Sequence, residues 1–230
     1  RWSKVIPFFH EHFRTIVPDI IGFGYSDKPT VEYNIPYFVK FLKDFLNRLG
    51  VKNASIAGSS FGGLVAAEFA INDSSLINKL ILVSPAGTMK TSTKTLEEYI
   101  LASLYPTHDN VWRAFNNMAF DPRTVTEETI LEFIDRMKLP NAKYAFMSTM
   151  LAIRNTTDLA SRLSKVKSPT MIIWGQNDEM IPVKYSEDYR NIPNSNVKVI
   201  PRCGHTPFTE KPELFSKIAI DFLKGINSIK

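Results

Sequence analysis

Cysteine is almost missing from this chain. Cys203 is the only one in 230 residues, which excludes an intrachain disulfide framework and argues against a cysteine-rich metal site. A reducing, cytoplasmic compartment is the default expectation that follows. No run of 18 apolar residues occurs, so nothing in the sequence is expected to span a membrane. Signal-peptide organisation is lacking too, because Arg1-Trp2-Ser3-Lys4 leads into Pro7 rather than an apolar stretch. An initiating methionine is absent as well, and this predicts a cut or processed start. Lysine and arginine exceed the acids to give a net charge of +5, but they are scattered, with no basic helix or aromatic-interleaved patch. A nucleic-acid partner is therefore not expected. What remains is 44% hydrophobic and 22% charged, the composition of an ordinary globular domain with room for an insertion.

Five short β-branched or apolar runs read as buried strands: residues 14–20, 54–57, 80–83, 170–174 and 197–200. Helical patterns separate them, which predicts an α/β fold with a mostly parallel sheet covered by helices on both faces. Pro36 opens one helix, Phe38, Phe41, Leu42, Phe45, Leu46 and Leu49 give it a face, and Gly50 closes it. Residues 61–71 are apolar nearly all round, as in a central helix. Residues 212–223 repeat the pattern of proline in and glycine out, ending at Gly225.

The stretch 87–165 breaks the alternation. It holds four helical segments, 96–104, 110–119, 127–138 and 142–154, the first with a capping box at Thr95-Leu96-Glu97-Glu98. Five of the seven methionines fall here (Met89, Met118, Met137, Met147 and Met150), beside Phe115, Phe120, Phe133, Tyr144 and Phe146. Methionine adapts to irregular surfaces, so this region is expected to be a helical lid over a substrate cleft. Residues 1–86 and 166–230 then form the core. Phe61, Met118, Phe133, Met147 and Met150 are the candidate substrate-binding residues; the competing reading is ordinary core packing of an insertion.

Gly58-Ser59-Ser60-Phe61-Gly62-Gly63 lies between a strand and a helix, the context that G-x-S-x-G requires. A serine on so sharp a turn needs small neighbours two residues away. Gly58 and Gly62 supply them around Ser60, whereas the Ser59 frame would place Phe61 there. Ser60 is thus the candidate nucleophile, and the Phe61 amide, at a helix N-terminus, is a candidate oxyanion donor. Among four histidines only His205 follows a strand at its carboxyl end, where Gly204 is expected to let the backbone turn. Asp178 stands just past another strand and is the candidate orienting acid, with Asn177 and Glu179 as poorer alternatives. The chain order Ser, Asp, His and the shared location at strand ends support one another. Gly22-Phe23-Gly24 does not make a dinucleotide loop, since a third glycine is absent and Pro29 follows. Cys203 lacks an elbow of its own and reads as a buried thiol. No metal or organic cofactor is implied.

With these residues in place the chain resembles the α/β-hydrolase superfamily over nearly its whole length. Asp19-Ile20-Ile21-Gly22-Phe23-Gly24-Tyr25-Ser26 looks like its D-x-x-G-x-G-x-S loop. Gly58–Gly63, Trp174–Asp178 and Cys203-Gly204-His205 through Glu210-Lys211-Pro212 look like its elbow, acid and histidine segments. The resemblance implies a serine hydrolase working through an acyl-enzyme on a small or medium apolar ester. Family members using aspartate at position 60, the dehalogenases and epoxide hydrolases, do not fit. It also implies a strand and a His-Gly loop, the source of a second oxyanion amide, that this sequence does not contain. An N-terminally incomplete chain, short by roughly 30 residues or more and weakly active as given, is the expectation. The lid also resembles that of meta-cleavage-product (carbon–carbon bond) hydrolases, while the Ser84-Pro85-Ala86-Gly87 turn and the histidine segment look equally like those of carboxylesterases and monoacylglycerol-lipase-type enzymes. Meta-cleavage-product hydrolases carry tryptophan after the histidine and a lid arginine, where this chain has Thr206 and, near the arginine's place, Phe133; Arg136 could substitute. A carbon–carbon hydrolase is therefore the alternative, and a non-catalytic binding protein of the same fold is the other. Oligomeric state stays open.

Overall fold

The computed structural model describes residues 2–156 and 159–226. A short helix α1 (Ile6–His10) precedes α2 (Ile35–Arg48), β1 (Ala54–Ser59), α3 (Phe61–Asn72) and β2 (Ile77–Val83). Four helices follow: α4 (Lys94–Leu104), α5 (His108–Met118), α6 (Glu127–Lys138) and α7 (Ala142–Arg154). The chain then runs through α8 (Leu159–Arg162), β3 (Thr170–Gly175), a 3-10 helix (Val183–Asn191), β4 (Ser195–Ile200), α9 (Pro207–Glu210) and α10 (Pro212–Lys224).

The strands pair in the order β1-β2-β3-β4, all parallel. Parallel strands need helical crossovers, and these cover both faces. The period of two along each strand decides which side chain goes where. Leu80 and Leu82 of β2 and Ile172 and Trp174 of β3 face the α3 side, beside Leu64 and Ala67. Ile81, Val83, Met171 and Ile173 face the other way, onto Phe208, Phe215 and Ala219. Every residue of β3 is buried. Large side chains such as these each contribute about 1.5–3 kcal/mol by leaving water.

The run at residues 14–20 is not a strand. It joins no ladder, and Ile16 and Val17 are exposed. β-branched composition suits a pleated surface, yet a strand exists only by pairing. Among the described residues nothing pairs with the outer edge of β1, where Ser55 and Ala57 are exposed. The loop that follows is closed by its own hydrogen bonds. The Tyr25 N–H donates to Asp19 Oδ2 at 2.9 Å and the Ser26 hydroxyl donates to the Asp19 carbonyl at 2.6 Å.

The remaining helices lie close to expectation. Asn34 caps α2 by accepting from the Tyr37 N–H, and Gly50 takes φ 66° just past its end. Leu49 is exposed rather than part of the buried face, because α2 has already ended there. In the insertion the expected capping box is displaced. Thr93, not Thr95, caps α4 by accepting from the Leu96 N–H, so the helix starts two residues earlier and Thr95 is buried inside it. Thr107 and Thr126 cap α5 and α6 in the same way. Phe115, Phe133 and Tyr99 pack together, with ring centroids 5.0 Å and 5.7 Å from Phe133, so part of the aromatic content is the insertion's own core. No described helix is long and apolar enough to cross a membrane.

Candidate active site

Ser60 sits between β1 and α3 with φ 52° and ψ −120°, a region that non-glycine residues rarely adopt. Surrounding bonds hold it there. Its N–H donates to the Val83 carbonyl at 2.9 Å, and its carbonyl accepts from Gly63, Leu64 and Ala86 at 3.0, 3.1 and 3.0 Å. The space argument for its neighbours is half right. A Cβ on Gly58 would lie 2.2 Å from the Gly62 carbonyl oxygen, so position 58 admits only glycine. A Cβ on Gly62 would meet nothing, whereas one on Gly63 would strike Pro85 at 2.7 Å. The crowded glycine after the serine is therefore Gly63, against the turn Ser84-Pro85-Ala86, because α3 carries position 62 outward. As the first residue of α3, Phe61 has an N–H with no acceptor inside its own helix. Its ring packs 4.7 Å from Phe38 and 5.6 Å from Phe23.

At the same carboxyl end of the sheet, past β3 and β4, Asp178 and His205 are both buried. Asp178 Oδ1 accepts the N–H groups of Met180 (3.0 Å) and Ile181 (2.8 Å), while Oδ2 lies 2.8 Å from His205 Nδ1. A carboxylate can only accept, so Nδ1 carries the proton, which in the neutral imidazole leaves the lone pair on Nε2. The neighbouring Asn177 and Glu179 are exposed. Both loops depend on glycine for proximity. A Cβ on Gly175 would lie 1.9 Å from the Gly204 oxygen, and one on Gly204 would lie 2.3 Å from the Met118 oxygen. Gly204 thus provides space, not a turn; the left-handed residue in this loop is Arg202, at φ 52°. Burial pushes the Cys203 thiol well above its ordinary range, which leaves it a poor nucleophile.

Ser60 and His205 line one cavity of about 1020 Å³, which continues along the open edge of β1. Phe61, Met118, Phe133 and Met150 line it too. Met147 does not; it packs against the small cluster of Met137, Ala142 and Phe146. Tyr99 and Met180, which the sequence reading did not single out, also line this cavity. The insertion contributes one cation to the wall, Arg136. Its Nη2 donates to Glu132 at 3.0 Å and its guanidinium lies over the Tyr25 ring at 5.0 Å. Its buried Nε finds no partner among the described residues. Sequence reading also missed the Glu210 carboxylate, whose partners are scattered along the chain.

This chain belongs to the α/β-hydrolase fold family, whose model matches residues 1–212. Among curated proteins it is similar to the 2-hydroxy-6-oxo-6-(2'-aminophenyl)hexa-2,4-dienoic acid hydrolase of Metapseudomonas resinovorans. The two are 28% identical over 227 residues, covering 96% of this chain and 78% of the relative. It is 26% identical to the 2-hydroxy-6-oxo-6-phenylhexa-2,4-dienoate hydrolase of Burkholderia cepacia, covering 96% and 81% of the two chains. The meta-cleavage product hydrolase of Pseudomonas fluorescens IP01 superposes with a TM-score of 0.87 at 24% identity, covering 98% of this chain and 85% of that one; this likeness shows the fold. The protein is a hydrolase of this family.

Proposed function

We propose that Ser60, His205 and Asp178 form a nucleophile, base and orienting acid that hydrolyse a small, mostly apolar carbonyl compound carrying an anionic group. His205 Nε2 takes the Ser60 proton as Oγ attacks the carbonyl carbon, and Asp178 stabilises the imidazolium that forms. The Phe61 amide receives the oxyanion. The leaving atom departs with the proton from His205, and water, deprotonated by the same imidazole, releases the acid and restores Ser60. The helical insertion serves as the lid.

Arg136 carries the choice of substrate. A guanidinium with a buried, unpartnered Nε in an apolar wall suits a carboxylate. The relatives named for dienoic acids act on compounds of that kind, so carbon–carbon cleavage of an oxo-dienoate is the favoured reaction. The apolar side chains that Phe61, Met118, Phe133 and Met150 present to the cavity favour a second reading, a neutral carboxylic ester. Steady-state rates on 2-hydroxy-6-oxo-6-phenylhexa-2,4-dienoate and on p-nitrophenyl butyrate separate them. In Arg136→Met, KM for the dienoate is expected to rise at least tenfold, with the ester unaffected. Turnover of the ester alone would assign the second reading. Absence of both activities, together with no fluorophosphonate labelling of Ser60, would defeat the enzyme reading in favour of a binding role.

A further inference from the structure

Glu210, the last residue of α9, is buried, and its carboxylate faces backbone rather than a cation. Oε1 and Oε2 lie 3.0 and 3.1 Å from the Gly204 nitrogen, the residue before His205. Oε2 also accepts the Phe120 N–H at 2.8 Å and stands 3.5 Å from the Asp121 nitrogen, where the insertion leaves α5. Burial raises the pKa of this carboxyl and the backbone N–H groups pull it back down. A second bond runs the same way: the His205 N–H donates to the Met118 carbonyl at 2.9 Å. Gly204 packs so closely against Met118 and Phe120 that no side chain fits between them. Met118 lines the cavity and His205 opens onto it.

We infer that Glu210 is a positioning residue that ties the exit of α5 to the histidine loop, so that the placement of the insertion and of the His205 imidazole are one variable. A buried acceptor reached by N–H groups from two separate segments fixes each relative to the other, since moving either one strands a donor. Movement of α5 when substrate fills the cavity beside Met118 is then passed to His205 through Gly204. This rests on His205 as the base of the proposed reaction, although the coupling itself can be read without activity.

The test uses full-length, 15N-histidine-labelled protein and two variants. Glu210→Gln keeps the shape but turns one acceptor into a donor facing N–H groups. Phe120→Pro deletes one N–H on the insertion side, together with the ring that the Arg202 guanidinium lies over at 5.9 Å; Ala119 has ψ 141°, as a residue before proline requires, and Phe120 is 40% exposed. In Glu210→Gln the low-field Nδ1 proton of His205 is expected to shift or broaden while the other three histidine signals stay. Fluorophosphonate labelling of Ser60 is expected to slow at least tenfold. Phe120→Pro is expected to show both effects, smaller, and decides the matter if Glu210→Gln does not fold. An unchanged His205 signal overturns the proposal whatever labelling does, and so does a moved signal with labelling within twofold. A wild-type protein that is never labelled defeats the proposed reaction, and the proton signal then judges the coupling alone.

Discussion

The two halves of the candidate site share the carboxyl end of the sheet but leave strands with different surroundings. Ser60 leaves β1, a strand with exposed Ser55 and Ala57 and an unpaired outer edge among the described residues. Asp178 and His205 leave the β3–β4 side, where β3 is buried throughout and two glycines let the loops touch. One half is held by a strained turn beside open space, the other by close packing and shared N–H groups. The difference teaches that an imidazole–carboxylate pair needs immobilisation out of water, whereas a nucleophile must meet a substrate and so faces a cavity.

The largest expected effect breaks the packed half chemically. Asp178→Asn should slow fluorophosphonate labelling by about 10⁴ with the fold intact, because the amide no longer holds Nδ1 protonated; a loss under tenfold would remove Asp178 from its role. Next comes a paired comparison of packing. Gly175→Ala drives a Cβ into the Gly204 carbonyl and should cost about 3 kcal/mol in denaturant unfolding. Gly62→Ala meets nothing and should cost under about 1 kcal/mol; equal costs would erase the contrast between the halves. The smallest effect is a rate. Cys203, buried with its thiol pKa raised, should resist iodoacetamide at pH 8 in the native protein and react once it unfolds.

Much of this was legible in the sequence, for identifiable reasons. The strands 54–57, 80–83, 170–174 and 197–200 are short-range signals, and the structure has strands there. The four insertion helices lie within two residues of the expected bounds at either end. Residues 14–20 misled because composition reports propensity and says nothing of a partner strand. Thr95 misled because Thr93 offers an equally good cap two residues earlier. Ser60, Asp178 and His205 could be picked out because each follows a strand end. Glu210 could not be, since its partners at 120, 121 and 204 meet only in the folded chain.

The backbone of Ser60 carries a further consequence. A residue at φ 52° and ψ −120° pays on the order of 1–3 kcal/mol that glycine would not. Ser60→Gly would remove the hydroxyl of the proposed nucleophile and relax that turn together, so the variant should melt at a higher temperature than the intact protein. On the proposed reaction, stability and reactivity are then in direct conflict at a single position, and a drift toward a sturdier fold there would remove the nucleophile.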